Sequence, residues 1–394
     1  MSFVLLAVTA VIALFARAAV RRPSGHRPLW LPAMIGSELA PWFLGVLMVL
    51  FGGFTFLGWS GGWAGGPAWA LGVLAAAAFT VAVARALTVR RPVLAAIGQF
   101  LGEPSVLPRL RIGSLVPAAS PDRDLDVVRG LRYGPHARHL VDRIALPGLH
   151  EPRPAIIHVH GGGWWRGNRH RQGLPLLHRL ALDGWVAFTA TYRISPEATF
   201  PDHLVDVKRV VAWIRANSAE LGVDGSFIVL AGGSAGGQLA ALAALTGGDR
   251  SLQPGFPDGD ARVQACLPFY GVHDLVDATG KPLWPYLVGS VMKSDPLGDP
   301  EGWRRASPVK MANADRPPFL VVHGATDTLV DPGSSRGLVA ALRAAGGPPV
   351  GHLEVPWGNH GFDYFRSVRS MQVVAGVVHV LDALFTRSKV EGPA

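Results

Sequence analysis

Phe227-Ile228-Val229-Leu230-Ala231-Gly232-Gly233-Ser234-Ala235-Gly236-Gly237-Gln238 joins an apolar run of strand type to an Ala/Leu-rich run of helical type that continues to Thr246. At its centre lies G-x-S-x-G, formed by Gly232, Ser234 and Gly236. A serine on a turn of glycines between a strand and a helix stands clear of the sheet, where its hydroxyl can reach a substrate carbonyl. The string also has a bland reading, a glycine-rich connection with an incidental serine, in a chain that holds 48 glycines. Partners elsewhere in the chain decide between the two.

Outward from this stretch, short apolar runs alternate with helical ones. Leu125 to Tyr133 and Leu140 to Leu146 read as early paired strands. Ala155 to Val159, Trp185 to Ala190, Phe227 to Leu230, Val263 to Phe269, Phe319 to Val322 and Gly351 to Val355 read as strands buried on both faces. Asp202 to Leu221, with Val207, Val210, Val211 and Ile214 on one face, reads as a helix, as do Ser334 to Ala345 and Ser367 to Phe385. Such alternation predicts an α/β class, a doubly wound and mostly parallel sheet.

A serine hydroxyl needs a base to take its proton, and the intermediate needs donors aimed at its oxyanion. His160-Gly161-Gly162-Gly163-Trp164 follows the strand ending at Val159. Its glycines let backbone N–H groups of Gly162 and Gly163 face a ligand, and the N–H of Ala235, just after the serine, completes an oxyanion hole. A tight glycine turn is the bland alternative, and His160 reads as a brace for the loop rather than as the base. Asp327 ends the loop after Phe319 to Val322, at the carboxyl end of a strand where α/β sheets place ligand-binding residues. Asp331 is its rival, and helix capping is the plain reading of both. His360, in Trp357-Gly358-Asn359-His360-Gly361-Phe362, follows the last strand. The chain order Ser234, Asp327, His360 is that expected of an α/β-hydrolase triad, with Ser234 as nucleophile, His360 as base and Asp327 as its orienting acid.

The stretches H-G-G-G-W (160–164), T-Y-R-I-S-P-E-A-T-F-P (191–201) followed by Asp206, G-G-S-A-G-G (232–237), H-G-A-T-D (323–327) and N-H-G-F (359–362) carry a family resemblance. From about Asp126 to Phe385 the chain resembles an α/β-hydrolase of the serine carboxylesterase type, in the hormone-sensitive-lipase-like and feruloyl-esterase-like neighbourhood. The hormone-sensitive-lipase pattern has an aspartate before the nucleophile. Gly233 stands there in this chain, as in feruloyl-esterase-like and formamidase-like relatives. The resemblance implies hydrolysis of carboxylic esters through an acyl-enzyme, without metal or organic cofactor. An arylformamidase-type amidase would share the triad, and a catalytically silent hydrolase fold acting as a binding module is the alternative from another class. Gly271 to Ser307, with Leu283, Trp284, Tyr286, Leu287 and Trp303, reads equally as a lid or acyl-site wall and as a solvated loop with buried anchors.

The 394 residues exceed one α/β domain, and the excess is apolar. Hydrophobic residues make up 49% and charged residues 16% of the chain, below the roughly 25% charged content of soluble domains. The net charge of +9 comes from scattered basic residues and from those flanking apolar segments, which argues against a nucleic-acid surface. Cys266, the single cysteine, sits in a strand and forms no internal disulfide. Phe3 to Ala16 is a marginal membrane span, with a signal peptide as its rival; Leu39 to Trp59 and Pro67 to Ala84 are of full spanning length. Arg17, Arg21, Arg22 and Arg27 precede the second span, and Arg85, Arg90 and Arg91 follow the third. By the positive-inside rule these flanks and the domain after them are cytoplasmic, with Trp59 and Trp63 at the outer interface and Trp42 at the inner one. The expected organisation is a multi-pass membrane region at 1–90 with two or three transmembrane helices, a proline-rich connector at 91–124 and a hydrolase domain at 125–388. Its expected partners are membrane lipid and a small-molecule or lipid-like ester.

Overall fold

The computed structural model describes residues 2–21, 30–58, 64–107, 124–149, 151–276 and 284–391. Arg22, Arg27, Trp59, Trp63, Leu283 and the connector prolines 108, 117 and 121 lie outside the described residues.

Among the described residues the sheet has eight strands: β1 (Asp126–Arg132), β2 (Leu140–Ala145), β3 (Arg153–Val159), β4 (Val186–Ala190), β5 (Val223–Gly233), β6 (Ala265–Phe269), β7 (Phe319–Gly324) and β8 (Val350–Val355). Their spatial order is β1-β2-β4-β3-β5-β6-β7-β8. β2 pairs antiparallel with β1 and β4, and every later pairing is parallel. The central strands β4, β6 and β7 are buried at every position because both faces are covered, and successive side chains feed opposite cores. Ile157, Phe188, Leu230 and Val321 face one core, together with α7 (Asp202–Ala216), α9 (Ala235–Leu245) and α12 (Gly333–Ala344). Ile156, Ala187, Val229 and Val322 face the other, with α5 (Arg90–Leu101), α6 (Leu174–Leu182) and α13 (Val368–Glu391).

The long helix expected over Asp202 to Leu221 breaks at Asn217 into α7 and a single turn, α8 (Ser218–Leu221). The Asn217 side chain donates to the Trp213 carbonyl, which offers the backbone an alternative to continued helix. The region expected as a connector begins as α5, whose Val93, Ile97 and Phe100 are buried in the second core. Its prolines weigh against helix only after residue 101. The insertion after β6 holds α10 (Trp284–Tyr286), a π-type turn over Leu287–Met292 and α11 (Pro300–Arg305), with Trp303 fully buried.

Ahead of the sheet stand α1 (Ser2–Val20), α2 (Trp30–Glu38), α3 (Ala40–Phe56) and α4 (Gly65–Leu87). α4 carries a seam of small residues and one phenylalanine, Ala68, Gly72, Ala75, Phe79 and Ala82, against α1 and α3. Close approach is obligatory there: a Cβ on Gly72 would sit 2.4 Å from the Phe51 ring. The outward faces are apolar, with Met48 and Val49 each 75% exposed. By length and composition, Ser2–Val20, Gly65–Leu101 and Val368–Val390 could cross a membrane, as could α2 and α3 taken together across a 74° bend. Val368–Val390 is 67% buried against 22% and 28% for the other two, so it serves as a core helix of the sheet domain.

Candidate active site

Ser234 is the residue between β5 and α9, at φ 58° and ψ −121°. Positive φ in a residue with a side chain is strained, and such strain persists where the surroundings over-determine it. Here the surroundings are glycines packed against backbone. A Cβ on Gly236 would lie 2.1 Å from the Val159 carbonyl oxygen, and one on Gly232 would lie 2.4 Å from that of Gly236. The G-x-S-x-G spacing is thus what lets α9 start directly over β3, and Ser234 is left half-buried at the edge of a cavity.

Asp327 and His360 meet across the ends of β7 and β8. His360 Nδ1 lies 2.7 Å from Asp327 Oδ2. Asp327 Oδ1 accepts from the backbone N–H groups of Leu329 and Val330 at 2.8 and 2.9 Å. His323 Nε2 approaches Oδ2 at 3.2 Å, so the carboxylate is held by two imidazoles. Burial raises the Asp327 carboxyl, but the charges and hydrogen bonds of His360 and His323 more than offset it and keep the group well below the usual carboxylate range. Asp331, the rival acid, instead accepts from the Gly333 N–H at 2.8 Å, at the start of α12. The His360 loop is set by Asn359, whose Oδ1 accepts from the His360 N–H at 2.8 Å.

Ser234 and His360 line one cavity of about 350 Å³ with Gly162 and Gly163. Among the described residues, no group accepts from the N–H of Gly162, Gly163 or Ala235. Gly162 and Gly163 have φ of 127° and 62°, which only glycine adopts without strain. His160 braces this loop: its Nδ1 lies 2.8 Å from the Gly161 carbonyl oxygen and its ring stacks on Tyr192. Burial pushes its imidazole down to about 4, so it is neutral at pH 7. Asp206, which follows the 191–201 stretch, is fully buried, bonds to Arg193 and His139, and does not line the cavity. Its work is to hold the chain after β4.

Three further contributors, Tyr270, His323 and Trp30, escaped sequence reasoning, and a fourth, Tyr286, lies in the stretch read equally as a lid or acyl-site wall and as a solvated loop. Tyr270, at φ 39°, places its ring 4.7 Å from that of His360 and donates to Asp363 at 2.5 Å. Tyr286, in the insertion after β6, donates to the Gly163 carbonyl at 2.7 Å and ties the insertion to the glycine loop. His323 is the imidazole behind Asp327, and its place four residues before that acid in H-G-A-T-D was a signal open to reading. Trp30, at the head of α2, meets the His360 ring edge-on at 5.8 Å and lines the cavity. No local pattern announces it, because its segment reads only as the flank of an apolar span.

A family model described as BD-FAE matches residues 144–342. Esterase LipQ of Mycobacterium tuberculosis (strain ATCC 25618 / H37Rv) is 42% identical over 260 residues, 65% of this chain and 62% of that protein. The probable carboxylic ester hydrolase LipM of the same strain is 42% identical over 235 residues, 59% of this chain and 54% of that protein. The chain therefore spans between about half and two thirds of the length of these curated relatives. Among solved structures, a truncated form of a carbohydrate esterase from gut microbiota aligns with a TM-score of 0.59 at 24% identity, covering 68% of this chain and 99% of that one. That likeness identifies the sheet and its helices as an α/β-hydrolase fold.

Proposed function

The chain belongs to the BD-FAE family, and from that premise we propose that it is a serine hydrolase of carboxylic esters with Ser234, His360 and Asp327 as its triad. The observation that carries the proposal is the buried His360–Asp327 pair facing the cavity onto which the strained Ser234 opens. His360 Nε2 takes the Ser234 Oγ proton as Oγ attacks the acyl carbon. The tetrahedral oxyanion accepts from the N–H groups of Gly162, Gly163 and Ala235, where loss of one donor typically costs about 10²–10³ in rate. Collapse breaks the bond to the alcohol oxygen, which receives the proton from His360. Water, deprotonated by His360, then releases the acid and restores Ser234. Asp327 keeps the imidazole in the tautomer that leaves Nε2 free to accept, and stabilises its positive charge.

The membrane reading is proposed on a second footing. α1, α3 and α4 form the membrane region within 1–90, residues 91–124 join it to a hydrolase domain at 125–388, and that domain lies on the cytoplasmic side with Arg17, Arg21 and Arg85. Supporting this, Arg85 at the end of α4 donates to the Val20 carbonyl at the end of α1, so the basic ends lie together. A C-terminal reporter active only on the outer side would overturn the orientation.

Gly233 keeps an amidase of the arylformamidase type as the second reading. Turnover of p-nitrophenyl acyl esters and N-formyl aryl amides by the purified chain separates them. Ester turnover is expected, faster amide turnover moves the reaction to the amidase, and turnover of neither leaves a binding module.

A further inference from the structure

The cavity at Ser234 and the apolar helices share a wall. Trp30 lines that cavity, and the helix it begins, α2, packs along the last turns of α1: a Cβ on Gly36 would lie 2.4 Å from the Phe15 carbonyl oxygen and 3.2 Å from Ala19 Cβ. At its other end α2 is fastened to the hydrolase by Glu38, which accepts from Ser367 at 2.6 Å and pairs with Arg369. The end of α4 makes the same junction, with the Arg85 guanidinium 3.8 Å above the ring of Trp357, three residues before His360. Two independent contacts therefore hold the His360 side of the cavity at the level where α1 and α4 end.

The lengths fix that level. At 1.5 Å per residue, the 19 residues of α1 and 23 of α4 run for about 28 and 34 Å, against a hydrocarbon thickness of about 30 Å. Their basic ends mark the headgroup zone. Leu31, beside Trp30, is 43% exposed, and Leu14, on the α1 stretch over which α2 lies, is 66% exposed. The cavity itself is walled by Trp164, Val272, Leu329 and Val330 as well as Trp30.

We propose that the substrate enters from the bilayer: the site takes an amphiphilic ester dissolved in the adjoining leaflet, whose acyl chain passes Trp30 to bring its carbonyl to Ser234. This rests on both the esterase and the membrane readings above. A water-soluble short-chain ester is expected to reach the same serine from the aqueous side.

The test uses the full chain reconstituted in vesicles of ether-linked phosphatidylcholine, which offers no ester of its own. Hydrolysis of 4-methylumbelliferyl palmitate is followed at constant bulk concentration while inert ether lipid dilutes it tenfold in the bilayer, with p-nitrophenyl acetate as the aqueous control. Entry from the bilayer predicts a fall of about tenfold for the palmitate and no change for the acetate. Leu31→Asp, which puts a charge on the lipid-facing side of α2, lowers the palmitate rate at least about fivefold and leaves the acetate rate as its own check of folding. A palmitate rate indifferent to lipid dilution overturns the proposal, whatever the variant does. Turnover of neither ester removes the esterase reading, and failure of the chain to float with the vesicles removes the membrane reading; either takes the proposal with it.

Discussion

Glu38, the last residue of α2, forms a buried ion pair with Arg369 in the first turn of α13, 331 positions later in the chain. Removing one partner of such a pair strands the other charge away from water, at a typical cost of about 3–5 kcal/mol, whereas replacing both with apolar residues is often nearly neutral. Glu38→Ala should lower stability by that order in thermal unfolding of the detergent-solubilised chain. Glu38→Met combined with Arg369→Met should be the more stable of the two variants. A Glu38→Ala variant as stable as the wild type would show that the junction carries no load.

Asp327→Asn keeps the shape of the acid but lets the imidazole take the wrong tautomer. The expected loss is about 10³–10⁴ in kcat with KM little changed, read from steady-state turnover of a p-nitrophenyl ester. Because the folded carboxyl is depressed, its contribution to stability is present above the unfolded value near pH 4 and is lost as pH falls through its lower folded value. Asp327 thus stays ionised through the acid limb of the activity profile.

Gly233 is a glycine because Tyr270 occupies the space of a side chain there. A Cβ would meet Tyr270 Oη at 2.9 Å and Cε2 at 3.1 Å. The tyrosine has little room to yield, since Asp363 holds its hydroxyl and its ring lies against His360. Gly233→Ala should cost about 1–3 kcal/mol and lower kcat by disturbing His360. Adding Tyr270→Phe, which deletes the nearest atom, should recover part of both, as melting and turnover of the paired variants would reveal.

Burial raises the Asp363 carboxyl to about 6, opposed by the Tyr270 hydrogen bond. Its unfolded value is near 3.9. The folded form therefore binds its proton more tightly, and the stability this gives is complete below about pH 4 and lost as pH rises through about 6. Asp363→Asn, which can still accept from Tyr270, should gain on the wild type by roughly 3 kcal/mol between pH 4 and pH 8. Melting curves at the two pH values measure that difference, and parallel curves would refute it.

Tyr286→Phe removes the hydrogen bond that fixes the Gly163 carbonyl. A net hydrogen bond is worth about 1 kcal/mol, so kcat should fall roughly fivefold with a smaller change in KM. An unchanged kcat would leave the insertion after β6 as mere cover.

The strands, the His360–Asp327 pair and the place of Ser234 beside it were legible because each rests on local pattern: apolar runs, glycines at a strand-to-helix turn, and an acid and a histidine at strand ends. Asp327 was separable from Asp331 by its place at the end of β7, and the structure puts only Asp327 against His360. Contacts between segments distant in sequence were not legible. Nothing in Trp30 or Glu38 signals a partner more than 300 residues away, and α5 was masked by the prolines that follow it. Tyr270 falls between the run Val263 to Phe269 read as a strand and the insertion read from Gly271, and its positive φ has no sequence mark.

The most direct test of the central claim is labelling of the full chain with a fluorophosphonate probe, mapped by peptide mass spectrometry. Attachment at Ser234, with ester hydrolysis lost in proportion and both abolished in Ser234→Ala, is the predicted result. Hydrolysis that survives in Ser234→Ala, or a wild-type chain that takes up no probe at Ser234, would contradict it.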